Sequence, residues 1–180
     1  LEEFQLDIHK KIIEASKTGD SRAQYKLYQL YSKAMYNVCM RMMNNREDAE
    51  DMLQESFTEA FLKLDTFRYE ATFGAWLKKI MVNRCINNLK RRNPEISTVD
   101  DLTCYDQEEV QFKDNELDVK RILKALEKLP DGYRVVFSLY LLEGYDHGEI
   151  SHIMGITEST SKTQLHRAKA KLKELLNAEA

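Results

Sequence analysis

Three groups of side chains in this sequence have types and spacings that could do chemistry. Near the C-terminal end, Lys162, Thr163, His166 and Arg167 recur at helical spacing on one side of a segment, and Lys169 extends the set. Basic side chains in such a row grip phosphates, and residues near the start of such a helix reach base edges in a DNA groove. The second group runs from residue 83 to 91, where Asn83, Arg84, Asn87, Asn88 and Arg91 lie opposite an apolar stripe of Leu77, Met81, Val82, Ile86 and Leu89. An asparagine amide both donates and accepts, so it can bond two atoms of a base, and arginine can bond a base or a phosphate. Just ahead stand Phe67, Tyr69, Phe73 and Trp76. Phe73 and Trp76 read as core, whereas Phe67 and Tyr69 fall in a loop, where an exposed ring could stack on an unpaired base for about 1–3 kcal/mol.

The third group is acidic. Glu47, Asp48, Glu50, Asp51, Glu55 and Glu59 share one helical segment, with Asp51 and Glu55 four apart and Gln54 beside them. No histidine joins these carboxylates, so a metal site is not expected, and neither is a cofactor. A solvated face is the ordinary reading of such a row, and a docking surface for a basic partner is the functional one. The sequence has no phosphate-binding glycine loop, no HExxH and no nucleophile–base pair, so enzyme chemistry is not expected. Cys39, Cys85 and Cys104 are odd in number and lack CxxC spacing, which argues against both a disulfide framework and a zinc knuckle.

These groups need helices to hold them. Ile8, Ile12 and Ala15 predict a short helix ending near Thr18-Gly19, and Asp20 or Ser21 caps the next, which Asn44-Asn45 breaks. Helices over 48–64 and about 73–91 follow, with 65–72 a loop and Pro94 a stop. Residues 93–115 are polar and without helical period, and read as a linker. An amphipathic helix is expected over 117–129 and a short buried one over 133–142, then two more over 147–154 and 158–176. In the last pair Ile150, Ile153 and Met154 form an apolar stripe, Gly155 bends, Ile156 plugs the angle and Thr157 caps. Ser161, Leu165, Ala168, Leu172 and Leu175 then form the inner face of the last helix. A short helix, a glycine turn and a long basic helix together make a helix-turn-helix.

Six glycines and two prolines in 180 residues leave little turn chemistry for a sheet, so the fold class is all-α. The formal charge is −3, which speaks against a free-standing nucleic-acid binder. The sum conceals segregation: six basic and no acidic residues lie between Lys78 and Arg92, then nine acidic and one basic between Asn93 and Asp118. The expectation is two small helical domains, 1–92 and 116–180, joined by a flexible acidic linker over 93–115. No secretory leader or apolar run long enough for membrane insertion is evident, and the cytoplasm is the expected compartment. The chain opens on Leu1 rather than Met, which leaves room for a segment removed ahead of it.

Taken together, the pieces resemble a known family. Ala49-Glu50-Asp51-Met52-Leu53-Gln54-Glu55-Ser56-Phe57 resembles the acidic segment of extracytoplasmic-function (ECF) sigma factors that packs on the clamp of the RNA polymerase β′ subunit. Trp76-Leu77-Lys78-Lys79-Ile80 with Asn83, Ile86, Leu89 and Lys90-Arg91-Arg92 looks like their helix that reads the −10 promoter element. Leu126, Leu129-Pro130, Glu143-Gly144-Tyr145, Glu149-Ile150, Gly155-Ile156 and Arg167-Ala168-Lys169 with Leu172 resemble the domain that reads the −35 element. The likeness spans about residues 20–176. It implies a sigma factor that directs polymerase core to promoters, with Asp48, Glu50, Asp51, Gln54 and Glu55 on the clamp and further contact at the flap of the β subunit. It assigns Lys162, Thr163, Arg167 and Gln164 to the −35 element, and the loop 67–72 to the capture of a flipped −10 base. The linker would follow the polymerase channel, and an anti-sigma factor, common in the family, joins the expected partners.

Two departures bear on the site. Ser161 stands where the family often has an apolar packing residue, and Asn87 where many members have Asp. The rival readings are a self-sufficient helix-turn-helix regulator, which would normally dimerise on paired half-sites, and a metal-dependent nuclease built on the acidic helix. The acidic pI near 5.9 and the long acidic spacer speak against the first. The missing catalytic motifs speak against the second.

Overall fold

A computed structural model describes residues 2–97 and 119–178, and among these it contains helices and no strand. The elements are α1 (Glu2–Lys17), α2 (Ser21–Met43), α3 (Arg46–Leu62), α4 (Phe73–Arg92), α5 (Val119–Leu126), α6 (Asp131–Phe137), α7 (His147–Met154) and α8 (Glu158–Ala178). Single 3-10 turns at Leu64–Thr66 and Pro94–Ser97 and a π turn at Ser138–Leu142 complete them. By contacts the chain divides into two units, Leu1–Cys85 and Ile86–Ala180, so the division falls inside α4.

In the first unit local chemistry sets the helix ends. The Asp20 carboxylate accepts from the amides of Arg22 and Ala23, capping α2. Asn44 ends that helix in the left-handed region at φ 54°, and Asn45 caps α3 through the Asp48 amide. At α4 the Thr72 hydroxyl takes the Ala75 amide at 3.2 Å. Gly74 lets the start of α4 come close, because a Cβ there would stand 3.0 Å from the Tyr31 ring. The core joins Ile13, Leu27, Val38, Met42, Met52, Phe57, Leu77 and Met81, each at most 4% exposed. Cutting any of the large ones to alanine should cost about 2–5 kcal/mol.

In the second unit the wide apolar face of α8 collects the rest. Leu165, Ala168, Leu172 and Leu176 are buried with Leu126, Leu129, Val135, Val136, Leu139, Ile150 and Met154. The inner face thus ends on Leu176, with Leu175 only half-buried. The segment expected as one helix over 133–142 is instead α6 followed by the π turn, where the Glu143 amide reaches back five residues to the Ser138 carbonyl at 3.0 Å. In α5 the stripe faces inward at Ala125 and Leu126, while Val119 and Leu123 stay 67% and 40% exposed. Of the expected linker, 98–115 lies outside the described residues, as do Cys104 and the start of the helix expected at 117. Its first residues do not match a formless tether: Pro94–Ser97 make a turn that buries Ile96, with the Asn93 side chain accepting the Glu95 amide.

Candidate nucleic-acid interface

Helix α8 is mounted by a tightly specified turn. The Asp146 carboxylate accepts the Glu149 amide at 2.8 Å while the Glu149 carboxylate accepts the Asp146 amide at 2.9 Å, a capping box that starts α7. That box was legible as an acid followed three residues later by glutamate. Gly155 closes α7 at φ 64°, a left-handed conformation that residues with a Cβ rarely adopt. The Thr157 hydroxyl then accepts the Thr160 amide at 3.0 Å and starts α8.

On α8, Lys162 is exposed, and Thr163, His166, Arg167 and Lys169 are half-exposed. Gln164 departs from the expected face. It is 2% exposed, and its side-chain amide points to the Ile96 carbonyl at 3.4 Å, so it packs inside the unit instead of facing a groove. Ser161 is wholly buried, and its hydroxyl pairs with His147 Nδ1 at 2.8 Å. Tyr140 stacks on the same imidazole, with ring centres 4.5 Å apart. A polar pair therefore fills the place of an apolar packing residue and fixes the rotation of α8. Burial, and after it the positive charge of Lys162, hold the His147 pKa below the ordinary 6.5.

Along α4 the stripe is narrower than its sequence suggests. Asn83, Asn87 and Arg91 are exposed at successive spacings of four, with Lys79 one turn before them. Asn88 is 9% exposed and belongs to the buried side. Arg84 is engaged by the acidic helix: its Nε donates to Glu59 at 2.6 Å and its Nη1 to Glu55 at 2.7 Å. Those carboxylates raise the guanidinium pKa, Glu59 foremost, while Glu59 itself is held below the carboxylate range, chiefly by its hydrogen bond from Lys63. One residue expected on DNA and one expected on polymerase thus bind each other across α3 and α4. The pairing spans 25 residues or more of sequence, and no local spacing announces it.

The aromatic group separates in the same way. Phe67 is 4% exposed, with ring centres 5.4 Å from Trp76 and 5.8 Å from Phe73, so it is a core ring and not a stacking platform on the surface. Tyr69 is half-exposed and adopts φ 62°. On α3, Asp51, Gln54 and Glu55 are exposed, and Asp48 and Glu50 are half-exposed. Leu62, 81% exposed, ends the same helix, and a groove lined by Gln54, Glu55, Thr58, Glu59, Leu62, Lys63 and Arg84 runs beside it. No group of three His, Cys, Asp or Glu side chains suited to a metal occurs among the described residues. No helix among them is long and apolar enough to cross a membrane.

Comparison with known proteins places these elements. Residues 27–95 match sigma-70 region 2, and residues 120–172 match sigma-70 region 4. The chain is 31% identical over 179 residues to the ECF RNA polymerase sigma factor SigW of Bacillus subtilis, covering 93% of this chain and 96% of the relative. It is 32% identical over 153 residues to SigM of the same organism, covering 84% and 93%. Two solved structures share the fold at a TM-score of 0.57 and 24% identity. One is the sigma factor RpoE with the anti-sigma factor NepR from Bartonella quintana, covering 87% of this chain and 98% of that one. The other is CnrH with the cytosolic domain of CnrY, covering 96% and 99%. The chain belongs to the ECF sigma factors of the sigma-70 family, which direct RNA polymerase to promoters in transcription initiation.

Proposed function

We propose a division of labour within this sigma factor. The lobe 1–92 docks on polymerase core through Asp48, Glu50, Asp51, Gln54 and Glu55, reads the −10 element with Asn83, Asn87 and Arg91, and captures a melted base at the loop 67–72. The lobe 116–180 reads the duplex −35 element with Lys162, Thr163, Arg167, His166 and Lys169, and rests on the flap of the β subunit. The segment 93–115 tethers the two lobes along the polymerase channel. The protein lends specificity to the polymerase and has no catalysis of its own.

The observation that carries this reading is the cationic outer face of α8 on a helix-turn-helix, in a chain whose net charge is −3. A basic helix gives the lobe phosphate affinity, while the surrounding negative charge keeps the lone chain weak on DNA. Polymerase core supplies the missing binding energy by orienting both lobes. One solved relative, RpoE, is in complex with the anti-sigma factor NepR, and another, CnrH, with the cytosolic domain of CnrY, which supports an anti-sigma partner here as well. Run-off transcription over a promoter library, with core polymerase and with or without this chain, tests the reading. Selective transcripts should require both components, and tight sequence-specific DNA binding by the chain alone would contradict it.

A further inference from the structure

Helix α1 lies ahead of the stretch that matches sigma-70 region 2, yet it grips the middle of the loop 67–72. The Tyr69 hydroxyl donates to the Glu14 carboxylate. The Lys17 ammonium donates to the Phe67 carbonyl at 3.2 Å and lies 4.9 Å from the centre of the Tyr69 ring, within cation–π range. Lys17 also pairs with Glu14 at 3.1 Å, which closes a ring of three side chains, and Lys10 approaches the Tyr69 ring at 5.7 Å. The ends of the loop are fixed from other sides, by Phe67 N–H on the Leu64 carbonyl at 3.0 Å and by Thr72 at the start of α4.

Two features make this grip consequential. Tyr69 sits at φ 62°, a region that a side chain with a Cβ enters only when its surroundings over-determine it. Helix α1 is itself well anchored, through buried Ile13 and Ser16 and a 2.7 Å hydrogen bond between His9 and Tyr31 of α2. The strained loop residue is therefore held from a rigid element. A loop so held loses less conformational freedom when it receives a ligand.

We infer that Glu14 and Lys17 are positioning residues for promoter opening, presetting the loop 67–72 to receive an unpaired base. The inference rests on the reading of that loop as the base-capturing segment. Glu14 acts through Tyr69, and Lys17 acts through both the ring and the Phe67 carbonyl. Neither residue needs to touch DNA.

The test uses holoenzyme reconstituted with polymerase core on a duplex promoter carrying a fluorescent base analogue in the downstream element. Glu14→Ala and Lys17→Ala should each slow opening by roughly threefold to tenfold, the scale of one charge-assisted hydrogen bond in a partly exposed site. Duplex-stage binding and the thermal midpoint of the chain should hold. Glu14→Gln keeps an acceptor for the Tyr69 hydroxyl and should restore most of the rate. Glu14→Ala combined with Tyr69→Phe should be no slower than the slower single variant, because both remove the same bond. Unchanged or faster opening in Glu14→Ala overturns the inference, the faster result marking the contact as a brake. A loss of opening that tracks a loss of thermal stability, without rescue by Glu14→Gln, overturns it too. A control separates the two levels. If Arg68→Ala with Tyr69→Ala leaves opening intact, the loop does not capture the base and that reading fails. If the control slows opening while Glu14→Ala does not, only the positioning claim fails.

Discussion

Helices α4 and α8 both carry candidate DNA contacts, but they carry them with different chemistry. Along α8, Lys162, Arg167 and Lys169 share a surface on a helix whose acids are confined to Glu158 and Glu174 near its ends. Along α4, the exposed stripe sets two neutral amides, Asn83 and Asn87, between two cations, Lys79 and Arg91, and the central cation Arg84 is taken up by Glu55 and Glu59 of α3. A cationic face suits a duplex, whose phosphates reward charge whatever the sequence. Amides suit bases whose edges are uncovered, and they add little long-range attraction. On the proposed division of labour, α3 would supply the docking face directly beside the reading helix α4, to which its Glu55 and Glu59 are bonded through Arg84.

The strongest way to break the comparison is to remove the shared support. The double change Asp51→Ala, Gln54→Ala should lower affinity for polymerase core by about tenfold or more, as expected for central interface residues. Both promoter elements should lose occupancy together. These side chains are exposed, so fold stability should stay within about 0.5 kcal/mol. Undiminished core affinity in a pull-down titration would remove α3 from the interface.

Next come the reading surfaces themselves. Arg167→Ala should weaken recognition of the upstream element by about 1–3 kcal/mol and relax preference at one base pair. Lys162→Ala should have a smaller and sequence-independent effect, with a salt slope reduced by about one. Asn83→Ala or Asn87→Ala should instead shift preference at one downstream position, leaving the salt slope unaltered. Competition binding by holoenzyme at several salt concentrations distinguishes these patterns, and a salt effect in the asparagine variants would erase the contrast between the helices.

The smallest effect concerns pH. His147 has its pKa lowered by burial and by the charge of Lys162, with Lys169 adding to this and with Glu158 and Asp146 opposing it. A base whose folded value lies below its unfolded value of 6.5 binds fewer protons when folded. Its contribution to stability is full above that value and is lost as pH falls through the lowered folded value. In the first lobe the lowered groups are the carboxylates Glu59 and Glu14, whose contributions fade only below 4.5. Between about pH 7.5 and about pH 5 the C-terminal lobe should therefore soften first. Hydrogen exchange should show its helices opening more at acid pH, and His147→Gln should flatten that dependence. Equal loss in both lobes would detach the effect from His147.

What the sequence made legible follows from the range over which each feature is determined. The turn between α7 and α8 is local, and Gly155 and Thr157 announce it without reference to anything distant. The apolar periods of α2, α3 and α4 likewise report which faces are inward. Gln164 could not be assigned in this way, because its burial depends on the Ile96 carbonyl, 68 residues earlier. Asn88 was one position too close to the buried side for a stripe drawn at spacings of three and four. Phe67 looked exposed because it lies in a loop, yet Phe73 and Trp76 enclose it. The contact of α1 with the loop is a like case, since Glu14 and Tyr69 meet across 55 residues.

The central claim is that α8 reads duplex DNA while the first lobe handles strands that separate. A heteroduplex promoter already unpaired at the downstream element tests it most directly, with transcription by holoenzyme as the measurement. Changes in the loop 67–72 that impair melting should recover on this template, because the unpairing cost of a few kcal/mol has been removed in advance. Arg167→Ala should not recover, since the upstream element stays double-stranded throughout. Full activity of Arg167→Ala on the pre-melted template would contradict the assignment of α8 to duplex readout.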